Sequence, residues 1–140
     1  MRLRAPLLLY LLLGLLAPLA PLSAEMVQWR GYDIHYTTFN SLLIPQEVAK
    51  AHNIVRSKLR IVTNISVLHD GEPSKAKVTG VNTNLLSQLF TMSFDEVTEK
   101  TAVYYLSNQL IDERDTLRFT LQITPDGQSE ALELKFVRQY

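Results

Sequence analysis

From residue 116 to residue 137 the chain alternates apolar and polar side chains with a period of two, and few folds accommodate that. Leu117, Phe119, Leu121 and Ile123 alternate with Arg118, Thr120 and Gln122. After Pro125-Asp126-Gly127 the pattern resumes with Leu132, Leu134 and Phe136 against Glu133 and Lys135. Period two sends successive side chains to opposite faces of a strand, so the pattern predicts a β-hairpin with one buried face. A three-residue turn with Gly127 in the left-handed region would set Phe119 opposite Glu133, on the wrong face. A four-residue loop over 125–128 predicts Leu117 opposite Phe136, Phe119 opposite Leu134 and Leu121 opposite Leu132. A one-residue slip would carry a whole apolar set to solvent. These residues specify a sheet and a core. They name no chemistry.

The remaining chain reads in the same idiom. Residues 29–41 predict a first strand, with Tyr32, Ile34, Tyr36 and Thr38 on one face and Asp33, His35 and Thr37 on the other. Residues 45–53 predict the one short helix: Pro45 suits its start, Glu47 its first turn, Lys50 and His52 its last, and Asn53 its exit. Its brevity suits a crossover between sheets. A strand over 57–68 carries Leu59, Ile61, Ile65 and Val67 on its apolar face, while Val62 on the other face implies that both faces are partly covered. Asp70-Gly71 marks a turn, and 75–82 a returning strand in which Gly80 signals a bulge or close packing. Asn82-Thr83-Asn84 predicts a loop. Residues 85–92 fit both helical and strand spacing; a strand over about 87–97 is favoured, after one helical turn at most. A strand over 101–108 precedes the charged loop Asp112-Glu113-Arg114-Asp115. Seven strands and one helix, with turns at these intervals, predict an all-β sandwich of two packed antiparallel sheets.

The first residues read differently. Arg2 and Arg4 lead into an apolar run over 7–16, followed by Pro18, Pro21 and Leu22-Ser23-Ala24. A charged start, an apolar middle and a small final residue predict a secretory signal peptide over 1–24, cleaved to leave one domain over 25–140. A retained anchor is the alternative, although the run is short for a membrane span. The expected location is the periplasm. The 140 residues hold 14 basic and 14 acidic side chains. Loss of Arg2 and Arg4 leaves 12 basic and 14 acidic, a net charge of −2. No basic surface for nucleic acid is expected. The absence of cysteine rules out disulfides, thiol catalysis and thiolate metal sites. The domain must be held by its core, and at about 115 residues it can bury roughly 65% of its unfolded surface.

Reactive constellations are sparse. His35, His52 and His69 lie seventeen residues apart, with no local metal-ligand spacing. No serine sits in a nucleophile-elbow pattern. Asp70 is explained by its turn, and the acidic groups Glu96, Glu99, Asp112, Glu113 and Asp115 by solvated loops. No catalytic residue, metal site or cofactor is expected. The candidate binding residues are Trp29, Tyr32, Tyr36, Tyr104 and Tyr105, large amphipathic rings suited to recognition, together with Arg56 as a carboxylate partner. The competing assignment is that the rings pack the core and that Arg56 pairs with Glu96 or Glu113. Asn64 and Asn84 are candidates to satisfy bent backbone.

The ordered set Gly31-Tyr32-Asp33-Ile34-His35-Tyr36, Arg56-Ser57-Lys58, Asn64-Ile65-Ser66-Val67, Asn84-Leu85, Phe94-Asp95-Glu96-Val97, Tyr104-Tyr105 and Glu113 resembles a family of short exported bacterial proteins of the Pseudomonas and Vibrio type, known as a domain of unknown function. The resemblance spans nearly all of 28–140. It implies an immunoglobulin-like sandwich and a periplasmic location, and it implies no activity. The function expected is therefore a non-catalytic module that binds a protein or peptide of the cell envelope through a sheet edge or an aromatic face, with no nucleic acid and no membrane contact beyond the leader. The alternative is a small-molecule-binding or hydrolase-like protein whose site forms only in three dimensions.

Overall fold

The computed structural model describes residues 25–140; the signal peptide expected over 1–24 lies outside the described residues. Within them are ten strands: β1 (Glu25–Trp29), β2 (Tyr32–Asn40), β3 (Arg60–His69), β4 (Glu72–Pro73), β5 (Ala76–Thr83), β6 (Leu89–Met92), β7 (Asp95–Glu99), β8 (Ala102–Leu110), β9 (Thr116–Pro125) and β10 (Leu132–Gln139). A 3-10 turn (Ser41–Leu43) and one helix, α1 (Gln46–Ala51), join β2 to β3. One sheet has the order β1-β2-β3-β8-β7, with β4 added to β3; the other has the order β10-β9-β5-β6. All pairings are antiparallel. The fold is an all-β sandwich of two sheets.

The core lies between the sheets. Tyr32, Ile34, Ile61, Ile65 and Val67 from the first sheet meet Leu117, Phe119, Leu121, Ile123, Leu134 and Phe136 from the second. Each fully buried aliphatic or Phe side chain here contributes about 1.5–3 kcal/mol through area removed from water. The pattern over 116–137 does form the predicted hairpin with its apolar face inward, but the register differs by two residues. Phe136 pairs with Phe119, Leu134 with Leu121 and Leu132 with Ile123. The reason is the second neighbour of β9. Pro125 pairs with Ala76 of β5, and the Asp126 amide donates to the Lys75 carbonyl, so β9 outruns β10 and residues 128–131 complete a longer loop. A shift of two preserves the face, and the alternation alone cannot exclude it.

Other boundaries moved for identifiable reasons. The strand expected over 29–41 is the end of β1, a turn and then β2, because Arg30 and Gly31 both have positive φ (50° and 82°) and turn β1 back onto β2. That is the geometry of a two-residue hairpin turn, with Arg where Asn or Asp is usual. The strand expected over 57–68 begins at Arg60. Asn82 and Thr83, expected in a loop, end β5. The strand favoured over 87–97 is two strands, β6 and β7, which belong to different sheets. Helix α1 is not a crossover between sheets: it joins β2 and β3, neighbours in one sheet. It instead covers that sheet's outer face, where Phe39, Ile44, Ala49, Ile54 and Val62 form a second buried cluster. Val62 is thus buried on the outer side, and both faces of β3 are covered at this end. Gly80 lies in close packing: a Cβ there would stand 2.3 Å from Leu121 Cδ2 and 3.2 Å from the Thr120 carbonyl oxygen.

Candidate interaction surface

The six candidate residues do not converge. Trp29 faces Tyr32 across the β1–β2 hairpin, and both turn inward. Tyr32 is buried; its ring stacks on His69 (centroids 4.6 Å apart) and its hydroxyl donates to the Asp126 carbonyl. The Arg30 guanidinium lies 4.7 Å from the Trp29 ring. Tyr36 packs on Phe136 at the core's rim and donates to the Glu25 carboxylate. Burial, and then that carboxylate, raise its phenol pKa. Tyr104 and Tyr105 are adjacent in β8 and therefore point to opposite faces. Tyr105 is buried between the sheets, accepting from the Ala76 amide (2.8 Å) and donating to Glu96 (3.0 Å). Burial first, and the Glu96 contact after it, push its phenol up to about 12. Arg56 is exposed and donates to the Leu42 carbonyl (3.0 Å), not to Glu96 or Glu113. Asn84 does organise bent backbone, accepting from the amides of Leu86 and Gln88. Asn64 does not; its buried Oδ1 is without a partner among the described residues.

The two open sides of the sandwich are unlike each other. On one side, where β1 and β10 form the edges, Arg138 bonds Glu25 (2.9 Å) while lying over the Phe136 ring (4.9 Å), and Arg30 pairs with Glu130. These contacts latch the sheets at two heights. On the other side, Glu96 of β7 meets Tyr105 and Lys75. Further along that side the sheets are tied by Asn82 and Gln109, which exchange two buried amide hydrogen bonds of 2.6 and 3.1 Å. Sequence patterns gave no sign of this pair, because one polar residue on an inward face looks like a strand end.

Outside that amide pair runs β6, the edge of the second sheet, bonded only to β5. Leu85, Leu86 and Leu89 are 61%, 75% and 66% exposed, and Phe90 39%. The segment 84–94 contains no charged residue, no proline and no glycine. Most native edge strands carry a charge, a proline or a bulge that blocks pairing with another chain.

A family model, "Domain of unknown function (DUF4426)", matches residues 26–140. The chain belongs to the DUF4426 family. A DUF4426 family protein from Pseudomonas aeruginosa PAO1 is 32% identical, with a TM-score of 0.76 over 84% of this chain and 94% of that one. Two structures of FetP from uropathogenic Escherichia coli strain F11 share the fold at low identity. A copper-bound variant is 10% identical with a TM-score of 0.63 over 85% of this chain and 95% of that one. The as-isolated protein is 7% identical with a TM-score of 0.59 over 86% and 95%. No curated protein matches the chain.

In this DUF4426 domain the histidines stay apart. His35 lies on the outer face of β2, opposite Ser66; His52 closes α1; His69 stacks on Tyr32 with Asp70 3.8 Å away. Among the described residues no three His, Asp or Glu side chains gather as a metal site would require. The outer face of the second sheet carries a shallow depression lined by Val81, Thr83, Arg118, Thr120, Lys135 and Val137.

Proposed function

We propose that this protein is an exported, non-catalytic interaction module that holds a polypeptide partner in the cell envelope along the β6 edge. The observation that carries the reading is the bare edge itself: a strand paired on one side only, free of charge, with Leu85, Leu86 and Leu89 among the most exposed leucines of the described residues. A free edge offers backbone donors and acceptors to an added strand, and the exposed side chains supply apolar area. The leader-like first 24 residues support export to the periplasm. The aromatic recognition face gives way to this edge, since Tyr32 and Tyr105 are committed to the core and Tyr104 stands alone on the outer face of the first sheet.

The absence of cysteine makes a clean test available. Thr91→Cys on β6, carrying a photo-crosslinker and expressed with the native leader, is expected to give an adduct of polypeptide mass in the envelope. Thr79→Cys on β5, away from the edge, is expected to give none. Equal labelling at both positions, or no adduct at Thr91, would count against the module.

A further inference from the structure

We infer that the partner at β6 is a second copy of this chain, joined edge to edge about a two-fold axis; the inference rests on the reading of β6 as an interaction surface. Symmetric association demands that a surface complement itself. Charge is what most often prevents that, and here it is missing two strands deep. Segment 84–94 has no charged residue, and neither has 102–111, the β8 stretch behind it. Gln109 of β8 lies level with Phe90, since Asn82 both pairs with Phe90 and bonds Gln109. The acids of β7 begin only opposite Leu106, further down that side. The Asp115 carboxylate beside Leu85 is buried and held by the Leu85 and Thr116 amides, so the exposed surface presents no charge to repel a copy of itself or to anchor a charged foreign segment.

The edges at β7, β10 and β1 are different. β7 carries Asp95, Glu96 and Glu99, which would meet their like across a two-fold. β10 carries Glu133, Lys135 and Arg138, and β1 carries Glu25, whose desolvation in a strand pair is costly. β6 alone among the described edges is free of both penalties.

The faces limit the register to axes that pass through a residue. Leu89 and Thr91 point to the outer face of the sheet, and Phe90 and Met92 to the inner one. An axis perpendicular to the sheet keeps outer residues on the outer side, so opposed residues must share a face. An axis through Phe90 meets that condition. It sets Phe90 against the partner's Phe90 and Leu89 against the partner's Thr91, with Leu85 and Leu86 at the flanks. The strand is only four residues long, so the association is weak and concentration-dependent.

Sedimentation velocity tests this on the protein expressed with its native leader and purified from the periplasm. Over a dilution series of about three decades around micromolar, the sedimenting mass is expected to rise from one copy to two. Leu89→Lys and Thr91→Lys each introduce a charge at an exposed position and are expected to weaken the dimer at least about tenfold, roughly 1.4 kcal/mol. Met26→Lys on β1 is expected to leave it unchanged. Two results would overturn the inference: one-copy mass at every concentration, or a dimer that both edge lysines leave intact. If the purified protein stays at one copy while the Thr91→Cys adduct has the mass of a different polypeptide, the second copy is wrong and the interaction module stands.

Discussion

Asn82 and Gln109 show how a buried polar pair is judged by what happens when half of it is removed. Each amide satisfies the other across the sandwich, so Asn82→Leu alone strands the Gln109 amide in the core. A loss of about 1–3 kcal/mol is expected, with the Asn82→Leu/Gln109→Leu double variant recovering much of it; denaturant melts arranged as a double-mutant cycle measure the coupling. Gly80 is constrained differently. A methyl group there meets Leu121, which is fully buried and has nowhere to turn, and a backbone oxygen behind it. Gly80→Ala is expected to cost about 1–3 kcal/mol in urea unfolding, whereas a stabilised variant would mean that β5 can move away from β9.

At the scale of elements, the alternation in residues 116–137 was enough to read a hairpin and its buried face, and the spacing of strands and turns along the chain was enough to read a second sheet. It was not enough to read the register, because two hairpins differing by two residues bury the same side chains. What decides between them is β5, whose pairing to Pro125 is a long-range fact. The Arg30-Gly31 turn went unread because only its glycine carries a turn signal, and with it went β1. Gly80 was legible as a bulge or close packing, of which the structure shows the second, and Val62 as a sign of a second covered face. Of the candidate site, the aromatic residues were legible only as a set of rings. One strand parity separates Tyr104 from Tyr105, and the inward turn of Trp29 depends on the missed hairpin. The β6 edge was hidden because its leucines fit helix and strand alike, and nothing local tells which strand ends a sheet. Helix α1 covers one face of its sheet and does not cross between sheets, and it should behave as a cover. Ile54→Ala opens the cluster with Phe39 and Val62 and is expected to cost about 2–5 kcal/mol by thermal or chemical unfolding. A change within about 0.5 kcal/mol would show the cover to be ornamental.

For the whole molecule, the same closure that builds the sandwich sets its alkaline limit. Tyr36, Tyr104, Tyr105 and Tyr140 all have phenol pKa values raised by burial, Tyr105 to about 12 from an ordinary 10.0. The unfolded chain releases these protons near pH 10, while the folded chain holds them. Stability is therefore unaffected below that pH and falls as pH rises through the window from about 10 to 12. Tyr105→Phe is expected to flatten part of that fall in melting temperature, and an unchanged slope would remove Tyr105 from the explanation. The sandwich also has a latched side and a bare one, and the central claim made for it is that a second copy of the chain adds at the bare β6 edge. Hydrogen exchange measured across a dilution series reads that edge directly. The amides of Leu89–Met92 are expected to slow as concentration rises, while those of β1 and β10 stay constant. Exchange in β6 that is independent of concentration, or protection that builds at β10 instead, would contradict the account.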